Sequence, residues 1–270
     1  MLGSAGEEDE AWLLGKSEGI LAGVPFFDCV FRKLGCTVTW HADEGSRIDP
    51  VAHVATVRGP RRMLLLGERT ALNILTRASG IATEAGKAAA IKAEAGWRGE
   101  VAGTRKVTPG FRLVEKYSLL VGGCSTHRMD LSQMTMIKDN HVWAAGSITN
   151  AVQRARSACG FSSKIEVEAR SVEEAAEAAD AGADVVMLDN FTPDRLRDEV
   201  PAFKAAHPHV TVEASGGIRL GTLAGFMVDG VDVLSLGSLT QGYPCLDFSL
   251  KLRKGVESGE ANDAGAVTKA

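Results

Sequence analysis

Two adjacent cations, Arg105 and Lys106, close a short apolar run, and Thr108-Pro109 follows them as a helix opening. Two further runs end in cations: His127 with Arg128, and Lys138. The next two end in anions, Glu166 with Glu168, and then Asp189. The last two end in small residues, Ser215-Gly216-Gly217 and Gly237. Each group suits a different ligand. Arg offers a planar fork that fits a carboxylate. Paired carboxylates hold a hard cation such as Mg²⁺ or the hydroxyls of a sugar. Glycines expose backbone N–H groups to a phosphate. A substrate carrying carboxylates, a ribose and phosphates would meet all three groups.

Taken singly, these residues say little. An Arg-Lys pair at a strand end is usually solvated, an Asp there often caps a helix, and Ser-Gly-Gly turns are common. Their weight comes from their order along the chain, and that order matters only if one scaffold turns all of them toward one mouth.

The scaffold is legible as an alternation. The strand candidates are EVAGT, VGGCST, MTMIK, KIEVEA, DVVMLD, VTVEAS and DVLSLG. Helical stretches separate them. Ser171 and Glu174 form an S-x-x-E capping box, and Thr192-Pro193 reads as a second helix opening. Strand–helix alternation implies parallel strands with crossover helices. The expected fold is therefore α/β: an open seven-stranded α/β barrel, with a doubly wound open sheet as the alternative. In a barrel, chemistry collects at the C-terminal strand ends.

The earlier part of the chain reads differently. PFFDCVFRKLG has apolar residues at helical spacing, and CTVTWHA and VAHVATVRG alternate as strands. A long helical stretch follows from GERTALN, with Gly80 a possible interruption. The expected division is an α+β sandwich domain over 1–82 and a barrel over 83–245. Residues 246–253 would return as a strand to the first domain, and 254–270 would form a disordered tail. The run Glu7-Glu8-Asp9-Glu10 reads as solvated tail.

A formal net charge of −4 and a pI of 5.9 disfavour nucleic acid as a partner. No apolar run is long enough to span a membrane, and MLGSAGEEDE lacks the basic start of a signal peptide. The five cysteines are scattered with no C-x-x-C pair, which fits free thiols in a reducing cytoplasm. No Walker A, GxGxxG or G-x-S-x-G pattern occurs.

The series ERTALNILTRASGIAT, GTRKVTPGFRLVEKY, HRMD, IKDNH, KIEVEA, LDNF and EASGGI resembles the quinolinate phosphoribosyltransferase family over Trp12 to Leu252. The resemblance implies an α/β sandwich beside an open seven-stranded barrel. It implies conversion of quinolinate and phosphoribosyl pyrophosphate to nicotinate mononucleotide, pyrophosphate and carbon dioxide, with Mg²⁺. It places Arg105, His127, Arg128 and Lys138 around the two carboxylates and Lys106 on a nearby phosphate. Glu168 and Asp189 would handle ribose hydroxyls and metal, and Lys138 would join them in the catalytic set. Ser215, Gly216, Gly217 and Gly237 would hold the 5′-phosphate. Arg69 would act across the interface of a dimer or hexamer. Val107 stands where the family often has Thr, and MLGSAGEEDE stands where it has a helical segment. Competing expectations are a nicotinate phosphoribosyltransferase, a Schiff-base enzyme using Lys138 or Lys106, and a non-catalytic shortened form that binds ligand or a full-length partner.

Overall fold

Alternating burial makes β1 (Glu8–Gly15) a strand: Ala11, Leu13 and Gly15 face inward while Trp12 faces out. After β2 (Gly19–Ile20), Pro25 opens α1 (Val24–Lys33), which buries Phe27 and Phe31 one helical turn apart. Then come β3 (Thr37–Trp40), β4 (Arg47–Ile48) and β5 (Ala52–Pro60). The computed structural model describes residues 7–253, so the expected tail over 254–270 lies outside the described residues.

The helix α2 (Arg61–Glu94) joins two cores. Its first half packs Leu64, Leu72 and Leu75 with Phe27 and Phe31 against a sheet in which β1 lies between β5 and the chain's last strand, with β3 beyond β5. Its second half gives Ile81, Ala85 and Ala88 to the larger core. The helix runs unbroken through Gly80. A Cβ at Gly80 would lie 2.3 Å from the Pro244 carbonyl oxygen. The glycine is therefore a docking point for the 244–245 chain rather than a helix break. That chain leads into β12 (Phe248–Leu252), which pairs antiparallel with β1.

The second core lies under a parallel sheet. In chain order its elements are β6 (Glu100–Ala102), α3 (Arg112–Val121), β7 (Thr135–Ile137), α4 (Asp139–Ala145), α5 (Ile148–Cys159) and β8 (Ile165–Ala169). Next are α6 (Val172–Asp180), β9 (Val185–Asp189), α7 (Pro193–Ala206), β10 (Thr211–Ser215), α8 (Leu220–Leu223) and β11 (Val233–Ser235). The six strands run β6-β11-β10-β9-β8-β7, and every pairing is parallel. Local chemistry sets the helix starts. Ser171 Oγ accepts from Glu174 N–H, and Thr192 Oγ1 accepts from Arg195 N–H with Pro193 in the first turn.

Three expectations shift. The strand read over VGGCST is only a single parallel bridge, Ala102 to Ser125. Extension fails because His127 turns to φ +54° and Lys116 Nζ donates to the Thr126 and Arg128 carbonyls. Those acceptors bind a lysine instead of a neighbouring strand. Thr108 does not open α3, which begins at Arg112; the Thr108 N–H goes to Glu115 Oε2 instead. The acidic run is not solvated tail either. Glu8 to Glu10 lie in β1, where Asp9 pairs with Arg61 at 2.6 Å and Glu10 with Arg58 at 2.7 Å. Among the described residues, no helix is long and apolar enough to cross a membrane.

The Gly80 contact yields a prediction. Ala would gain about 1 kcal/mol in helix propensity, yet overpacking costs about 1–3 kcal/mol. Because the obstacle is a main-chain carbonyl, it cannot turn aside as a side chain would. That rigidity puts the cost at the upper end of this range, so Gly80→Ala should lower stability by about 2 kcal/mol net, read from the denaturant midpoint. A midpoint at or above that of the parent chain would contradict this packing.

Candidate active site

The floor of the parallel sheet is polar. Glu166 on β8 and Glu213 on β10 point into the interior, 0% and 2% exposed. His127 comes down between them from the bridge segment. Its Nε2 lies 3.0 Å from Glu213 Oε2 and 3.9 Å from Glu166 Oε2. Strands two places apart in the sheet thus meet a residue from beyond its β6 edge, so the sheet curls around this point. Among the described residues, neither carboxylate oxygen of Glu166 has a hydrogen-bond partner. Burial, and then the charge of Glu213, push the Glu166 carboxyl well above the usual carboxylate range.

Cations line the gap between the bridge segment and β7. Arg128 is 7% exposed and donates through Nη1 to the Met134 carbonyl at 2.9 Å. Lys116, fully buried on α3, holds the Thr126 and Arg128 carbonyls at 2.5 and 2.7 Å. Burial, with Arg112, Arg105 and Arg128 nearby, lowers its pKa to about 8. Arg105 and Lys106 are exposed beyond β6, and Thr104 Oγ1 accepts from the Lys106 N–H at 3.1 Å. Lys138, at the end of β7, pairs with Glu168 at the end of β8.

The carboxylates and glycines complete the rim. Asp189 ends β9 and takes the Asn190 side-chain amide at 2.7 Å. Burial, then Glu168, raise its pKa above the ordinary value. Glu168 and Asp189 are hard oxygen donors at neighbouring strand ends, and mutual repulsion already acts between them. That donor set fits a divalent cation such as Mg²⁺. Gly216 turns at φ +99°, and a Cβ there would lie 2.3 Å from Asn190 Oδ1. Only glycine lets the turn after β10 lie this close to the turn after β9.

These residues share one opening. A cavity of about 310 Å³ is lined by Arg105, Lys106, His127, Arg128 and Lys138 on one side. Glu168, Asp189, Ser215 and Gly216 line the other. A second cleft of about 630 Å³ adjoins it and holds Gly217 and Gly237. Thr104, Lys106, Ser215, Gly216 and Ser235 belong to both. Arg69 is not brought in; it is exposed on α2.

His127 sits in the cavity wall with both ring nitrogens engaged. Nδ1 accepts from the Arg128 N–H at 2.7 Å, and Nε2 faces Glu213. It therefore offers a carboxylate its ring rather than a free N–H. Sequence reasoning missed Glu213, Ser235 and Lys116. Glu213 lies in the middle of a strand between Val212 and Ala214, Ser235 follows Val233 and Leu234, and Lys116 lies in an ordinary helix. The signal available for Glu213 was a charge in the middle of a buried strand, VTVEAS, where a carboxylate needs a partner. His127, Glu166 and Glu213 also bring one ligand atom each within 4.8 Å of one another.

A parallel α/β sheet whose strand ends gather cations, acids and a glycine turn defines an enzyme for anionic, phosphate-bearing substrates. The particular family follows from comparison. Residues 1–79 match the family model "Quinolinate phosphoribosyl transferase, N-terminal domain", and residues 81–251 match the corresponding C-terminal domain. The chain belongs to the quinolinate phosphoribosyltransferase family. It is 58% identical over 243 residues to the nicotinate-nucleotide pyrophosphorylase [carboxylating] of Rattus norvegicus, covering 90% of this chain and 81% of that one. The Homo sapiens relative of the same name is 57% identical over 243 residues, covering 90% and 82%. The solved NadC of Streptococcus pyogenes superposes with a TM-score of 0.86 at 36% identity, covering 93% and 88%. Human nicotinic acid phosphoribosyltransferase, at 16% identity and a TM-score of 0.60, shares the fold alone.

The buried acid makes stability depend on pH. A carboxyl whose pKa is raised on folding keeps its proton in the native state after the unfolded chain has lost it. Native stability then falls as pH rises above the ordinary value of 4.5. Glu166→Gln removes that slope. Its melting temperature relative to the parent should climb steadily from about pH 5 to about pH 8. A difference independent of pH would show that Glu166 is ionised in the fold.

Proposed function

We propose that this mouth joins quinolinate to the ribose of phosphoribosyl pyrophosphate, releasing pyrophosphate and carbon dioxide and leaving nicotinate mononucleotide. That activity is the one the family carries, a decarboxylating pentosyl transfer in NAD biosynthesis. The observation that carries the assignment of parts is the shared opening: cationic, acidic and glycine-rich strand ends line one cavity and its adjoining cleft.

The division of labour follows from charge. Arg105, Arg128 and Lys138 receive the two carboxylates, with the His127 ring beneath them. Ser215, Gly216, Gly217 and Gly237 receive the 5′-phosphate, and Lys106 lies between the two subsites. The ring nitrogen attacks the anomeric carbon as the bond to pyrophosphate breaks. Positive charge grows on the ribose, where Glu168 and Asp189 stabilise it. Mg²⁺, if held by Glu168 and Asp189, would neutralise charge on the departing phosphates. The new glycosidic bond leaves the pyridine nitrogen cationic. The C2–carboxylate bond then breaks, its electron pair staying on C2 beside that nitrogen. Lys138, paired with Glu168 at the rim, supplies the proton that C2 takes up. Arg105 and Arg128 must orient the leaving carboxylate without over-stabilising it in the ground state.

We read the six-stranded sheet with its Ala102–Ser125 bridge as an open barrel in which the bridge segment takes the place of a seventh strand. Arg69 fits a role at a neighbouring subunit's mouth in a dimer or hexamer. It is exposed on α2 near Leu66, which is 63% exposed, a combination suited to a covering partner. The boundary near residue 82 would fall inside α2, and the cytoplasm is the compartment that fits the free cysteines.

The reading is tested by incubating the full chain with quinolinate, phosphoribosyl pyrophosphate and Mg²⁺. Pyrophosphate and carbon dioxide should appear in equal amounts, with nicotinate a poor replacement. Pyrophosphate without carbon dioxide, or faster turnover of nicotinate, would overturn it. Arg105→Ala should lower kcat/KM for quinolinate by roughly 30-fold, the loss of about 2 kcal/mol expected for one charge partner. An unchanged value would remove Arg105 from the diacid subsite.

A further inference from the structure

Ser235 stands between the two subsites. It is 2% exposed at the end of β11 and belongs to the lining of both the diacid cavity and the phosphate cleft. Its hydroxyl has one proton and two acceptors within reach: Glu213 Oε1 at 2.6 Å and Ser215 Oγ at 2.9 Å. Beyond Glu213, the carboxylate meets His127 Nε2 at 3.0 and 3.3 Å. Beyond His127, Nδ1 holds the Arg128 N–H. A continuous hydrogen-bonded chain thus runs from the Ser-Gly-Gly turn, through the floor of the sheet, to the main chain of Arg128, whose side chain lines the diacid cavity.

The donor count makes this chain a two-way device. A serine hydroxyl donates once and accepts twice, whereas a carboxylate only accepts. We propose that Ser235 is a positioning residue that couples the phosphate subsite to the diacid subsite by turning its single proton between Glu213 and Ser215. With the cleft empty, Ser235 donates to Glu213 and accepts from the Ser215 hydroxyl. A phosphate oxygen at the Ser-Gly-Gly turn draws the Ser215 hydroxyl to itself. Ser235 then loses its donor and turns its own O–H onto Ser215 Oγ. Glu213 keeps His127 as its donor, that bond tightens, and the ring carries the Arg128 backbone with it. Every hydroxyl keeps its proton and no covalent bond changes. Buried, water-poor surroundings make each such exchange felt by its neighbours. The inference rests on the placement of the 5′-phosphate at Ser215 to Gly217 proposed above.

The test is a binding cycle by calorimetry on the full chain. The affinity for quinolinate is measured with and without saturating ribose 5-phosphate, in the parent, Ser235→Ala and Ser215→Ala. In the parent, ribose 5-phosphate should change quinolinate affinity by about fivefold or more, with the reciprocal effect equal. In Ser235→Ala the ratio of the two affinities should collapse toward one, whatever the absolute values. Ser215→Ala should weaken ribose 5-phosphate itself by about tenfold, the cost of one phosphate hydrogen bond. No coupling in the parent, or full coupling in Ser235→Ala, would overturn the relay. Unchanged ribose 5-phosphate affinity in Ser215→Ala would overturn the phosphate placement and the relay with it. Should Ser235→Ala fail to fold, the ¹⁵N resonance of His127 Nε2 decides the matter in the parent chain. Ribose 5-phosphate should shift it, and a resonance that does not move would refute the coupling.

Discussion

The burial of Glu166 and Glu213 beneath a ring of cations is the constraint around which the mouth is built. Two carboxylates in a sheet interior are unfavourable unless partners meet them. Glu213 has His127 and Ser235; Glu166 has no hydrogen-bond partner among the described residues and is pushed toward its neutral form. The Glu213 carboxylate offsets part of the repulsion between Arg128 and Arg105, which line one small cavity with Lys138. The cation cluster needed for a dianionic substrate is thus balanced from below.

That balance explains why the sheet does not close by regular pairing. Ordinary extended backbone after Ser125 would satisfy its carbonyls on β7. Instead Lys116 satisfies two of them from α3, His127 adopts a left-handed backbone, and Arg128 spans the gap to Met134. The cost is an interrupted strand. The gain is a cation and an imidazole aimed inward at a place where a strand would give one side chain. Helix α2 supports this arrangement from outside. Its glycine-docked 244–245 chain carries the last strand back to the first sheet and ties the two cores together.

Much of this was legible in the chain. Strand–helix alternation predicts the parallel sheet, and the order of cations, acids and glycines along it anticipates the order of side chains around the cavity. The reason is geometric: parallel strands all end on the same side, so strand-end chemistry in sequence becomes rim chemistry in space. The period-two runs of the first half likewise anticipate β3 and β5. What failed was local. VGGCST has strand-like composition, but a lysine from a helix captures its acceptors. The acidic run of Glu7 to Glu10 looks solvated until Arg58 and Arg61, some 50 residues away, supply its partners. Glu213 and Ser235 went unnoticed because each has buried apolar neighbours in its strand, where pattern reading expects packing.

The imidazole of His127 belongs to the floor, held by Glu213 and the Arg128 N–H, and a diacid should meet arginine and lysine above it. A crystal structure of the quinolinate complex addresses this directly. Both carboxylates should lie on Arg105, Arg128 and Lys138, with His127 Nε2 still on Glu213. A ring swung away from Glu213, with Nε2 bonded to a quinolinate carboxylate, would contradict it.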